Sequence, residues 1–198
     1  MKTTDALVQE CLVLRARYDE EPGHSDHVCA LALPIFDGLR PWHRLDGRPR
    51  EFLRSAALLH DIGWARTPDG KGHHKWSARL VREYPWKNLA PGEVLVVAQI
   101  ARYHRKAPPQ PDDADFHALA APAQRLVMIL GGILRIADAL DRTHTGKIQR
   151  VEASVTEKAI LIRVQPAGTW DAERAAFEIK ADMLQMAAER PVLCEAVK

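Results

Sequence analysis

The chain has 198 residues, 46% of them apolar and 27% charged, which describes a folded globular protein with room for one domain and a small addition. Twenty-eight Lys and Arg set against 26 Asp and Glu leave a net charge of +2, so no global field draws the chain to nucleic acid or an anionic membrane. No apolar run reaches the roughly 18–20 residues of a membrane helix, and the acidic residues near the start speak against a secretory signal. Cys11, Cys29 and Cys194 are an odd, scattered set without a C-x-x-C pair. They fit a reducing cytoplasm and read as small apolar residues rather than disulfide or thiolate-zinc partners.

In chain order, residues 3–18 carry helical apolar spacing (Ala6, Leu7, Cys11, Leu12, Leu14), broken at Glu20-Glu21-Pro22-Gly23. Residues 25–39 form a second expected helix, capped by Ser25 or Asp26 and bent or begun at Pro34. Residues 41–49 read as a polar connector. A helix over about 50–62 runs into Asp61-Ile62-Gly63, and a turn-rich loop occupies 64–73. Helices are expected over 75–84 and 92–104, then a long Pro- and Asp-rich loop from Lys106 to about His117 that should shape a pocket. The helix over 121–142 is the longest and most apolar and should be the core element. Residues 148–155 and 159–165 alternate and are β-branched around Thr156-Glu157-Lys158, the pattern of an antiparallel hairpin. An amphipathic helix over 171–189 follows. The fold class is therefore mainly α: a helical domain over 1–146 and a hairpin–helix appendage over 147–198, too small to fold alone and packed on the helices or a partner.

Nine His residues carry the chemistry. His60-Asp61 closes an apolar helix, where two adjacent polar side chains need partners. A metal would satisfy both; a histidine near the helix C-terminus with Asp61 capping the next turn is the alternative. Asp138, inside the most apolar helix, needs a cation or a set of donors. His27, His73 and His104 stand at the ends of other helices, so several helices each deliver a donor. Mixed imidazole and carboxylate suit Mn, Fe, Ni, Co or Zn.

The sequence His27 … His60-Asp61 … Asp138 resembles the HD superfamily of metal-dependent phosphohydrolases. That resemblance implies one divalent metal on His27, His60, Asp61 and Asp138. It implies a second on His73 and His104, with Asp61 bridging. His24 is the alternative to His27, and His74 to His73. LLHDIGW, GHHKWS, IARYHRKAPP and ILRIADALDRTH further resemble the helical C-terminal region of the exopolyphosphatase and guanosine pentaphosphate phosphohydrolase family, whose following small domain the hairpin and last helix match. In that family hydrolysis of polyphosphate belongs to an N-terminal actin-like domain, for which this length leaves no room, so that activity is not carried over. Trp64 stands where some two-metal phosphodiesterases have Lys.

The expected activity is metal-dependent hydrolysis of a small phosphorylated substrate, a nucleotide or polyphosphate-like compound being candidates, with one or two divalent ions (Mn, Fe, Ni, Co, Zn or Mg). Asp61 would act at the reaction centre, and Arg105 and Lys106 would bind phosphate, a solvated surface being the competing reading. Lys71 and Lys75 read rather as surface. Trp64 and Trp76 read as core or cleft wall, with stacking on a base as the alternative. His43 and His117 read as surface, and His144 as part of the cleft mouth. Asp141 reads as a salt-bridge partner of Arg142 or Arg135, with support of a ligand His as the alternative. The competing function is a non-catalytic regulatory or dimerisation module. A free hairpin edge makes a homodimer a candidate assembly.

Overall fold

The computed structural model describes residues 2–197, with side chains from residue 6. It is mainly helical with one small sheet near the C-terminus. Helix α1 (Lys2–Arg15) packs on α4 (Gly47–Leu59), and α2 (Pro22–Gly38) on α4 and on the long α8 (Ala121–Ala139). The start of α2 differs from the expectation. Pro22, read as a breaker, is its first residue, where a missing N–H costs nothing. The earlier start puts His24, not His27, in the first turn.

The expected polar connector holds a short helix, α3 (Arg40–His43), and His43 is buried rather than on the surface. Its Nε2–H donates to the Phe36 carbonyl and its Nδ1 accepts from Leu45 N–H. Burial accordingly lowers its pKa. Asp46 caps α4 by accepting from Arg48 N–H. A 3₁₀ turn over Ile62–Arg66 leads to α5 (His73–Glu83), which packs on that turn and on α6 (Pro91–Arg102). The 106–117 loop is not featureless. Asp113 receives Arg102 and Gln110 N–H, and α7 (Ala114–His117) closes it.

Helix α8 is the core, as its composition predicts. It ends at Ala139 rather than 142, and residues Val127 to Ala137 are almost all buried against α2, α4 and α6. Arg135 is the exception in character, 1% exposed. It donates to both carboxylate oxygens of Asp182 and to the carbonyls of Tyr103 and Lys106, joining α8 to the segment after α6 and to the C-terminal helices.

Strands β1 (Ile148–Val155) and β2 (Ile160–Pro166) form the expected antiparallel hairpin. The expected single helix is two, α9 (Asp171–Lys180) and α10 (Asp182–Ala188). A third strand, β3 (Val192–Ala196), then pairs parallel with β2, so the order is β1-β2-β3 and the hairpin edge at β2 is covered. Strand β1 packs on α2, while α9 and α10 pack on α8. The β1–α2 approach is close: a Cβ on Gly38 would lie 2.2 Å from the Ala153 carbonyl oxygen. No helix among the described residues is long and apolar enough to cross a membrane.

Candidate metal centre

Four imidazoles and two carboxylates meet where α2, the α4 C-terminus, α5, the α6 C-terminus and α8 converge. They form two groups able to hold a metal ion: His24, His60 and Asp138, and Asp61, His73 and His104. In the first, His24 Nε2 lies 3.4 Å from His60 Nε2 and 3.4 Å from Asp138 Oδ1. In the second, His73 Nε2 and His104 Nε2 are 3.2 Å apart, each 3.3 Å from Asp61 Oδ1. Asp61 Oδ2 turns the other way, 3.7 Å from His24 Nε2 and 3.5 Å from His60 Nε2. One carboxylate thus presents one oxygen to each group.

The rings are held from behind. His60 Nδ1 is 2.8 Å from the Ala57 carbonyl, His73 Nδ1 2.9 Å from Gly70 and His104 Nδ1 2.7 Å from Ala101, in each case three residues back. A carbonyl only accepts, so these Nδ1 atoms carry the proton and a neutral ring keeps its lone pair on Nε2. His24 Nδ1 bonds instead to Asp141 Oδ2 at 2.8 Å. This corrects the reading of Asp141 as a salt-bridge partner of a neighbouring Arg. Two lone pairs facing each other at 3.2 Å repel unless a cation lies between them, and Asp61 Oδ1 is buried without a hydrogen-bond partner. Donors bonded to one ion at roughly 2.0–2.3 Å stand about 3–4 Å apart, which is the spacing found. The residues therefore fit one or two divalent ions.

The same packing sets the charges. Burial pushes the Asp61 carboxyl up, but His60, His104 and His73 outweigh it and hold it well below the usual range. Asp138 is likewise held low against burial, by Lys180 and by His24. For His24, burial acts downward, yet Asp138 and Asp141 raise it to about 10. Burial lowers His104. Burial, together with His104 and His73, takes His74 down to about 3.

Of the ligands expected from the sequence, His60, Asp61, His73, His104 and Asp138 come together. His27 does not join them. It sits one turn further along α2, its Nε2 buried without a hydrogen-bond partner, and His24 holds the place. His74 stands outside both groups. Arg105 and Lys106 also lie apart. They line, with Lys71, Lys75 and His74, a concavity that shares no lining residue with the cleft before Asp61. Arg105 Nη1 lies 3.5 Å from His73 Nδ1, the side of the ring turned away from Asp61. Lys180, whose ammonium pairs with Asp138 Oδ2, is a cation at the centre that the sequence reading missed.

The cleft before Asp61 and His24 has a volume of about 510 Å³. Asp19, Glu20 and Glu21 form its acidic wall; Tyr18 and Trp64 are aromatic neighbours, and no Lys or Arg is among its described lining residues. Trp64 stacks on His73, ring centroids 4.4 Å apart. His144 stacks on His24 at 3.7 Å and bonds Glu21 through Nδ1, at the cleft as expected.

Fold and site together define a mainly helical domain built around paired histidine–carboxylate groups that share one aspartate. Residues 10–184 match the family Ppx/GppA phosphatase, domain III, and the chain belongs to that family. Comparison with curated proteins finds no match.

Proposed function

We propose that the chain is an HD-type metal-dependent phosphohydrolase that cleaves a phosphomonoester or phosphodiester bond of a nucleotide or another small phosphorylated compound. The observation that carries this reading is Asp61, whose two oxygens each face a pair of inward-turned Nε2 atoms. His24, His60, Asp61 and Asp138 would hold one ion, and His73, His104 and Asp61 a second. Divalent ions there would acidify water and polarise a phosphoryl oxygen. Trp64 covers the His73 ring from water. His144 lines the cleft, its Nδ1–H donating to Glu21, and stacks on the His24 ring. The acidic wall favours a compound with a single phosphoryl group over a polyanion, because three carboxylates repel added negative charge.

The test is metal analysis of the purified protein, with phosphate release from a panel of nucleotides and sugar phosphates and cleavage of cyclic nucleotides and other phosphodiesters, under added Mn, Fe, Co, Ni, Zn or Mg. Bound metal and turnover that disappear in Asp61→Ala are expected. Metal-free folded protein without turnover would refute the reading. A second reading, a non-catalytic regulatory module, is favoured by the match to domain III, one part of a phosphatase. Bound metal without turnover of any compound of the panel, monoester or diester, supports it.

A further inference from the structure

The two halves of the centre carry different charge. Lys180, in the last turn of α9, gives its ammonium to Asp138 Oδ2, and this is its one polar partner among the described residues. The other oxygen of the same carboxylate faces His24 Nε2 at 3.4 Å and His60 Nε2 at 3.8 Å. Side-chain exposures of 17% for Lys180 and 13% for Asp138 keep the pair largely out of water. In the other half, Asp61 Oδ1 has no such cation on it, and Arg105 touches only the outer edge of His73.

From this asymmetry, and resting on the metal-dependent reading above, we infer that Lys180 is a positioning residue that competes with a divalent ion for Asp138. The His24–His60–Asp138 half then binds its ion more weakly than its ligands alone would dictate. An ion on Oδ1 and an ammonium on Oδ2 stand about 5 Å apart. Even at the dielectric of water, repulsion between +2 and +1 at that distance corresponds to about tenfold in affinity, and more in a drier setting. With Oδ2 engaged, Asp138 offers the ion one oxygen, which leaves a coordination position open. Because Lys180 comes from the C-terminal segment, the docking of α9 on α8 and the occupancy of the centre oppose each other through one carboxylate.

The test is equilibrium titration with Co(II), read by bound metal and by the visible spectrum. The proteins are the full chain, Lys180→Met and Lys180→Arg, each also in a His104→Ala background that weakens the other half. Thermal melts establish that each variant is folded, and Lys180→Gln replaces the Met variant if that one does not fold. Lys180→Met in the His104→Ala background is expected to bind cobalt at least about tenfold more tightly. Its absorption per cobalt should fall as Asp138 brings its freed oxygen to the ion. Lys180→Arg, which keeps the charge, should match its parent. A lysine that only braced α9 would loosen the centre when removed, so unchanged or weaker cobalt binding in Lys180→Met overturns the inference while leaving the metal centre standing. Absence of cobalt binding in every variant overturns the inference together with the reading beneath it.

Discussion

Gly63 closes the Asp61-Ile62-Gly63 segment where the 3₁₀ turn meets α5, and its replacement by Ala tests the link between that motif and the metal centre. A Cβ there would lie 2.0 Å from the His73 carbonyl oxygen and 2.5 Å from Ser77 N, both backbone atoms that cannot rotate away. Gly63 N–H also donates to Ser77 Oγ at 2.9 Å, so the two segments must part by about an ångström and strain that bond. Overpacking costs about 1–3 kcal/mol, with backbone contacts at the upper end, and the stiffer unfolded chain returns about 0.4–1 kcal/mol. The net loss of about 2–2.6 kcal/mol corresponds to a melting shift of roughly 4–10 °C in a chain of this size. The same displacement carries His73 from its 3.3 Å approach to Asp61, so the Asp61–His73–His104 half should lose its ion. Gly38→Ala is the control. Its Cβ meets the Ala153 carbonyl at 2.2 Å on the face of β1, so it should melt as early yet keep its metal. Calorimetry and metal analysis of the two variants decide the matter. Unchanged stability and metal content in Gly63→Ala, or equal metal loss in both variants, would refute the reasoning.

Asp141→Ala removes the acceptor that orients His24 and should weaken metal binding about 10- to 100-fold, measured by competition with a chelating dye. Arg135→Met leaves the part-exposed Asp182 carboxylate and the Tyr103 and Lys106 carbonyls without their donor and should cost about 1–3 kcal/mol in urea denaturation. In metal-free protein, the raised His24 pKa contributes stability that is complete below its unfolded value near 6.5 and is lost as pH climbs from there through about 10. Chelated wild type should therefore weaken over that window more than His24→Ala, followed by thermal melts at each pH. Glu20→Gln with Glu21→Gln should narrow the preference for monophosphates over tripolyphosphate, expected at about tenfold in kcat/KM for the parent, and an unchanged ratio would count against the acidic wall as a selector.

Much of the helical frame was legible because burial imposes a period: the apolar run of α8 and the broken runs of α2, α4 and α6 follow from it. His60, Asp61 and Asp138 stood out because polar side chains in apolar stretches need partners. What escaped reading depended on tertiary pairing. His24 and His27 both precede the same apolar run, and only the start of α2 at Pro22 decides which meets Asp61. The bond from His24 to Asp141 joins positions 117 apart, and Lys180 on an amphipathic helix reads as solvated until α9 docks. Strand β3 is five residues behind Pro191, and its pairing with β2 exists only once α9 and α10 return the chain. Arg105 and Lys106 follow His104 directly, but adjacency along a turn does not make side chains share a wall.

Three of the four inward imidazoles take their orientation from main-chain carbonyls, those of Ala57, Gly70 and Ala101. Such acceptors are present whatever side chain those positions carry, so substitution cannot delete them while the local turn survives. The fourth ring relies on the carboxylate of Asp141, which a single codon change removes. Sequence drift in this lineage therefore has an unequal effect on the centre, and changes of metal preference should enter first at the His24 corner.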